Sequence, residues 1–536
     1  MKTDVLVIGG GLGGVSATLA AAKLGAKVVL AEELDWLGGQ LTAQGIPPDE
    51  APWIETLTSS RSYTEFRQRI RQYYLRNYPL TAEARLRSPF NPGMGNVGTL
   101  CHEPRVSVAV INEMLAPQTS GAQVRVLLRH QVVSAHSDGD RIVEVRLREL
   151  DSGRDVTIEA GIVIDATETG EFLESAGVEH VFGAESQTQT GELHAVSGPP
   201  DAYDQQAITW TFACDYLPDQ HCIIAKPSRY DHWRSIRIDD WPGPQISWTI
   251  SDHVTHAPRE RPLFVGDTDA EFLYDLWHAR RIAYRRHFAA GTYPSDITLA
   301  CWPQMDYWCK PAIGVSPEQA ADALKEAREL SLAFFYWMQT EAPRHDGGVG
   351  YPGLRLRGDV LGTSDGLAKQ SYYREGRRIR AEFTLLEQHI GVQARPGAGG
   401  AESFTDSVAV GAYRIDLHPS TRGRNSVDID TYPFQIPLGA LLPVRVENLL
   451  PACKNIGTTR ITSGACRVHP IEWSIGEASG ALAAFALQRR VLARAVRAQP
   501  LLADFQRCLV DLGVMLAWPR YGALTPMSRT GYRPVR

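Results

Sequence analysis

Eight cysteines in a chain of 536 residues form no C-x-x-C pair. Cys101, Cys214, Cys222, Cys301, Cys309, Cys453, Cys466 and Cys508 are scattered. Neither a local zinc site nor a dithiol redox pair is encoded, and reduced thiols in a cytoplasmic protein are expected. Long apolar runs are missing too. No uninterrupted window reaches the roughly 18 residues of a membrane span. Like charges never gather into a block: the formal net charge is −6 with 22% charged residues. That balance disfavours nucleic-acid and anionic-membrane partners. There is no internal repeat and no low-complexity tract. The first apolar strand starts almost at once, and no secretory leader is expected. At this length, with 43% hydrophobic residues, a soluble globular protein of two or three domains is expected.

What is present starts at the amino terminus. Asp4-Val5-Leu6-Val7-Ile8 is an apolar run of strand length, followed by Gly9-Gly10-Gly11-Leu12-Gly13-Gly14 and an Ala-rich helical stretch to Leu24. Gly25 is placed to end that helix. Lys27 to Ala31 reads as a second strand with Glu32 at its tip. Gly9, Gly11 and Gly14 fit G-x-G-x-x-G in a strand–turn–helix context. The first glycine permits the turn, the second lets backbone approach a pyrophosphate, and the third allows close helix–strand packing. The helix start offers free N–H groups and a positive dipole end. Glu32 can accept hydrogen bonds from a ribose, and its charge argues against a 2′-phosphate, hence against NADP.

Four further segments carry a resemblance. Trp36-Leu37-Gly38-Gly39-Gln40-Leu41-Thr42 follows the acid. Val163-Ile164-Asp165-Ala166-Thr167 is an apolar strand ending in Asp-Ala-Thr, with Glu168 where the usual pattern has glycine. Glu447 to Ala452 is a short apolar strand, and Gly464 to Gly480 contains Cys466-Arg467-Val468-His469-Pro470 before a Gly-containing helix. With Arg374-Glu375-Gly376-Arg377-Arg378 and Trp302 to Tyr307, the chain resembles the bacterial FAD-dependent oxidoreductase family, related to the glutathione reductase and fumarate reductase flavoproteins. The resemblance spans most of residues 1–490. It implies bound FAD, with contacts at Gly9, Gly11, Gly14, Glu32, Gly39, Gln40, Val132, Ala166, Thr167 and Gly476. It also implies an α/β fold: a Rossmann-like FAD-binding domain, parallel sheet plus β-meander, with an inserted α+β substrate domain.

The expected boundaries are 1–185 for the first part of the FAD domain, with an excursion at 50–100 near the substrate site, and 186–430 for the substrate domain. Residues 431–490 are the return to the FAD domain, and 491–536 a C-terminal helix and tail. Helices are expected over Ser62 to Asn77 and Val106 to Leu115 and near 471–490. The meander is expected from Val124–Leu128, Gln131–Val133 and Ile142–Leu147.

Three residues are the expected catalytic groups. Arg467 and His469 stand just before the 471–490 helix, whose N-terminus, in such flavoproteins, aims at the flavin. Arg467 can stabilise negative charge on the reduced ring, and His469 can transfer a proton. His102, beside Cys101 in a Gly/Pro-rich loop, is the third; a covalent flavin link there stays open. The guanidiniums of Arg374, Arg377 and Arg378 can bind an acidic substrate or a phosphate, or form a structural network. Phe334 to Trp337 reads mainly as core. Gly362-Thr363-Ser364-Asp365-Gly366 matches G-x-S-x-G but lacks the strand a nucleophile elbow needs. His253 and His256 read as loop residues, and no metal is expected.

No second nucleotide fingerprint exists: Gly397-Ala398-Gly399-Gly400 has no strand before it. Electrons are therefore expected to come from a small organic substrate and to leave to oxygen or another acceptor. The expected activity is dehydrogenase or oxidase chemistry, with hydride passing from a C–H bond to flavin N5. One alternative is reduction of an activated double bond, as in fumarate-reductase relatives. Another is a flavin-binding subunit or RNA-modification protein. The partner expectations are a small-molecule substrate, no nucleic acid, no membrane, and a monomer or homodimer.

Overall fold

In the computed structural model, which describes residues 1–519 and Met527, the opening motif folds as β1 (Lys2–Ile8), α1 (Leu12–Lys23) and β2 (Val28–Glu32). Then come α2 (Arg61–Asn77), α3 (Ala82–Leu86), α4 (Pro104–Ser120), β3 (Val124–Leu128), β4 (His130–Asp138), β5 (Arg141–Glu149) and β6 (Asp155–Asp165). The sheet runs β3-β2-β1-β6-β5-β4. The first four are parallel, with Val5 opposite both Val28 and Ile162. Their buried Val, Leu and Ile runs are what a sheet covered on both faces requires.

One expectation changes. Val124–Leu128 joins the parallel layer beside β2, not the meander. The crossover through α4 returns the chain in the parallel sense, and Arg129, at φ +62°, then turns it away. The meander is β4, β5 and the long β6, which forks. Its first half pairs with β5 (Ile158 opposite Val145) and its second half with the returning strand Leu449–Pro451 (Val163 opposite Leu449).

Helix His469–Arg489 lies against α1, and both are buried on nearly every side. Small residues make this possible. A Cβ on Gly476 would stand 2.0 Å from Gly13 O, and one on Gly480 2.1 Å from Ala17 O. Ser16 Oγ donates to Trp473 O at 2.8 Å. Gly476, expected at the cofactor, thus touches the backbone of α1 and does not itself line the cavity that Gly9 and Gly11 line.

A second core lies under a four-stranded antiparallel sheet of Arg281–Ala283, Ile297–Ala300, Phe212–Tyr216 and Leu354–Leu356. Helix Pro317–Thr340, started by a Ser316/Gln319 capping box, packs Phe334, Phe335 and Trp337 into it. These aromatics are core, as their helical spacing suggests. Among the described residues no helix is long and apolar enough to cross a membrane.

Candidate active site

A cavity of about 270 Å³ opens at the carboxyl ends of β1, β2 and β6. Gly9, Gly11, Glu32, Gly39, Val132, Ala166 and Thr167 line it. Its walls come close because two glycines face each other: a Cβ on Gly39 would lie 2.8 Å from Gly11 Cα. Gly9, at φ +100°, runs so near β6 that a Cβ would meet Ala166 O at 2.2 Å. Glu32 is held by two backbone donors, Leu34 N to Oε1 at 2.8 Å and Gly10 N to Oε2 at 2.5 Å. Burial, the largest influence, pushes its carboxyl up to about 7. Gln40 Oε1 is buried without a hydrogen-bond partner among the described residues. A backbone-walled groove ending in a clamped carboxylate fits the adenosine and pyrophosphate of a dinucleotide. Gly14 packs beneath the groove against Gly9 O.

Two carboxylates at the groove were given no partner by the sequence. Glu472, fully enclosed, accepts from Gly13 N at 3.0 Å and from Gln40 Nε2, so a carboxylate caps the first turn of α1. Glu168 lines the cavity and pairs with buried Lys454. Burial opposes the charge on Lys454, but the carboxylates of Glu168 and Glu472 favour it, and its pKa is raised.

Gln40 links this groove to a second cavity, because its Nε2 also donates to Arg467 O at 3.0 Å. That cavity, about 190 Å³, is lined by Asp49, Arg280, Tyr372, Arg374, His418 and Arg467 among others. Arg467 donates to Tyr372 OH at 2.6 Å and pairs with Asp416 at 3.3 Å. His418 Nδ1 lies 2.6 Å from Asp306 Oδ2, and Nε2 has no hydrogen-bond partner among the described residues. Asp306 also receives Thr209 Oγ1 at 2.6 Å and Arg374 at 3.1 Å. Burial works against the Asp306 charge, yet Arg374 and His418 hold its pKa below the usual value. Burial and then Arg374 lower the pKa of His418, against the pull of Asp306. This is a neutral imidazole oriented by a carboxylate, with one nitrogen left for a ligand.

The expected histidines are placed differently. His469 Nδ1 accepts from Asp49 N at 3.2 Å and Nε2 donates to Ile46 O at 3.1 Å. Burial drives its pKa down to about 3. His102 donates from Nδ1 to Leu100 O at 2.7 Å and meets Ser107 Oγ with Nε2 at 2.5 Å; burial takes it to about 4. Neither lines either cavity. With both nitrogens of each ring engaged, the geometry gives neither a proton-transfer position. Of the three expected catalytic residues, Arg467 alone reaches a cavity.

The sequence model of one family, FAD dependent oxidoreductase, matches residues 4–509. The chain belongs to this family. It is a flavoprotein enzyme, and FAD is its cofactor. No curated protein matches the chain. Among solved structures, L-proline dehydrogenase from P. horikoshii is 18% identical over 34% of this chain and 24% of its own, with a TM-score of 0.18. The bacillithiol disulfide reductase of Bacillus cereus is 19% identical over 32% and 41%, with a TM-score of 0.20. The geranylgeranyl bacteriochlorophyll reductase-like protein of Thermoplasma acidophilum is 10% identical over 96% and 84%, with a TM-score of 0.34. The chain thus spans less than half the length of the first two.

The remaining sequence candidates of this flavoprotein resolve as follows. The arginines after Tyr373 diverge: Arg374 goes to Asp306, Arg377 to Glu174 and Arg378 to Glu185. They form a structural network and no joint clamp. Ser364 follows the short helix Gly358–Leu361 and not a strand, so the elbow geometry is absent there. His253 presents a ligand atom within 4.8 Å of Asp416 and Asp428. Arg414 pairs with both carboxylates, at 3.4 and 2.9 Å, so a guanidinium already balances the charge a cation needs.

Proposed function

We propose that this FAD-dependent oxidoreductase is a dehydrogenase or oxidase that takes hydride from a C–H bond of a small organic substrate in the Arg467–His418 cavity. The observation that carries this reading is the His418–Asp306 pair, whose free Nε2 borders the cavity that Arg467 also lines, Gln40 bonding to Arg467 O from the residue after Gly39 of the FAD groove. Gly9, Gly11, Gly39, Ala166 and Thr167 would hold the cofactor by backbone proximity, and Glu32 would accept from the ribose hydroxyls. Bound FAD supplies a two-electron acceptor for hydride, later emptied by oxygen or another acceptor.

His418 Nε2 takes the proton from the substrate O–H or N–H while the adjacent carbon gives up its hydride. Asp306 fixes the tautomer by holding the Nδ1 proton and stabilises the imidazolium that forms. The substrate loses one hydride and one proton, so a C–O or C–N single bond becomes a double bond. Arg467, held by Tyr372 OH and the Asp416 carboxylate, would shape the wall of the same cavity.

The test is anaerobic mixing of the holoenzyme with amines, alcohols, polyols and hydroxy acids, following loss of the oxidised flavin absorption. Bleaching by one class supports the reading. Resistance to all of them, together with rapid reoxidation of chemically reduced enzyme by an enoate, would reverse the direction to double-bond reduction.

A further inference from the structure

Five arginines line the His418 cavity: Arg261, Arg280, Arg374, Arg414 and Arg467. Three of them are neutralised by carboxylates. Arg414 pairs with Asp428 at 2.9 Å, Arg467 with Asp416 at 3.3 Å and Arg374 with Asp306 at 3.1 Å. Arg261 lies over the Tyr274 ring, 4.9 Å from its centroid. Arg280 differs. It makes no ion pair among the described residues, and its one hydrogen bond is from Nη1 to Cys301 O at 3.2 Å. Its Nε is buried and has no partner there. Burial keeps the neighbouring Cys301 thiol protonated by raising its pKa, so the sulfur adds no counter-charge.

The local chain explains why Arg280 faces the cavity. It immediately precedes strand Arg281–Ala283, where successive side chains alternate faces. Arg281 is fully buried on the other side, bonded to Gly93 O at 2.8 Å and to Asp296 at 2.7 Å. Leu299 N donates to Arg280 O at 3.0 Å, which anchors the backbone. A guanidinium has five N–H donors in a rigid fork. Arg280 uses one of them inside the protein. A largely enclosed cation with spare donors is costly unless an anion completes it.

We infer that the substrate carries a carboxylate, and that Arg280 binds it through its unused N–H groups while His418 faces the reacting end. The inference rests on the reading of this cavity as the substrate site. It names the class as small organic acids and assigns Arg280 as the residue that selects them. Asp49 lines the same cavity; burial opposes the charge on Arg280 and Asp49 helps to hold it, but the two form no ion pair, so the N–H groups that Arg280 does not use stay unbonded among the described residues.

The experiment is an equilibrium titration of the oxidised holoenzyme, so turnover is not needed. Acetate, succinate and benzoate are each compared with acetamide, succinamide and benzamide, by flavin difference spectra and by calorimetry. The expected result is saturable binding of at least one acid, with its amide at least about 30-fold weaker. Arg280→Met should weaken that acid about 30-fold or more with the flavin content unchanged. Arg280→Lys, which keeps a point charge but loses the fork, should fall between the two; it serves alone if the Met variant does not fold. Equal affinity for acid and amide, or an acid affinity unaltered by these substitutions, overturns the inference. Binding of acids that depends on Arg280, with no flavin bleaching by any hydroxy or amino acid, would instead overturn the dehydrogenase reading alone.

Discussion

His418 and Asp306 lie 112 positions apart in the chain, yet Nδ1 and Oδ2 meet at 2.6 Å. Asp306 stands in a two-residue strand paired with Ile208–Thr209, and His418 directly follows the strand Ile415–Leu417. Backbone pairing on both sides holds the couple. Thr209 and Arg374 occupy Asp306 further, so the carboxylate has no freedom to turn away.

His418→Asn should therefore slow flavin reduction by about 10²-fold or more while FAD stays bound. The pKa of His418 is lowered from 6.5, first by burial and then by Arg374. The base form must be neutral, so the wild-type rate should be flat at and above pH 7 and decline only below 6.5. Asp306 raises that pKa, so in Asp306→Asn the acid limb should move to lower pH as the rate falls. Rapid-mixing reduction rates between pH 5 and 9 measure both. An acid limb unmoved in Asp306→Asn and still present in His418→Asn would remove the pair from the chemistry.

His469 should behave as a fastener. With its pKa near 3 in the folded protein against 6.5 for a free imidazole, the unfolded chain binds the extra proton. Its contribution is thus present above pH 6.5 and lost as pH falls toward 3. His469→Asn should reduce the loss of Tm on acidification and leave the acid limb of flavin reduction where the wild type has it. A shift of that limb would return His469 to proton transfer. Calorimetric melting over the same pH series supplies the stability half.

The contact of Gly476 with α1 gives a separate test of how the cofactor groove is built. A methyl group there meets Gly13 O at 2.0 Å, and backbone cannot swing aside. Gly476→Ala should cost about 1–3 kcal/mol by overpacking and lower FAD retention, since Gly13 lies in the first turn of α1, two residues after Gly11. An unchanged Tm with full flavin would show that the two helices separate freely.

Local and long-range information divide cleanly in this chain. The β1-α1-β2 unit was readable because its signals lie within 32 residues: apolar runs, glycine spacing and a terminal acid. Gly9, Gly11, Glu32, Gly39, Val132, Ala166 and Thr167 line one cavity, though their role toward FAD rests on the proposal above. Arg467 stood out by its place before a Pro-started helix and lines the second cavity, while its role there belongs to the proposal above. His469 and His102 do not line either cavity, and burial, which the tertiary fold decides, lowers both pKa values; neither fact was legible locally. His418, Asp306 and Arg280 carried no local signal. Arg280 and Arg281 are adjacent and alike in sequence, and only strand alternation sends one to the core and the other to the cavity. The Glu168 departure from the glycine pattern was visible, whereas its partner Lys454, 286 positions away, was not.

Glu32 connects sequence, burial and cofactor most directly. In the protein its carboxyl titrates near 7, raised mainly by burial and held back by Leu34 N and Gly10 N. Ribose hydroxyls that donate to it favour the ionised form, so FAD binding must expel a proton below that pH. Affinity of the apoprotein for FAD should accordingly fall as pH drops below about 7, by up to about tenfold per pH unit, and level off above it. Glu32→Gln should bind FAD more weakly, since each charge-assisted bond contributes roughly 1.5–3 kcal/mol, and should lose this pH dependence. Glu33 also lines the groove and is raised to about 7, chiefly by burial. Glu33→Gln is the control and should keep the dependence. Quenching of FAD fluorescence, titrated between pH 5.5 and 8.5, separates these variants. A pH dependence that survives in Glu32→Gln and vanishes in Glu33→Gln would move ribose recognition to the neighbouring acid.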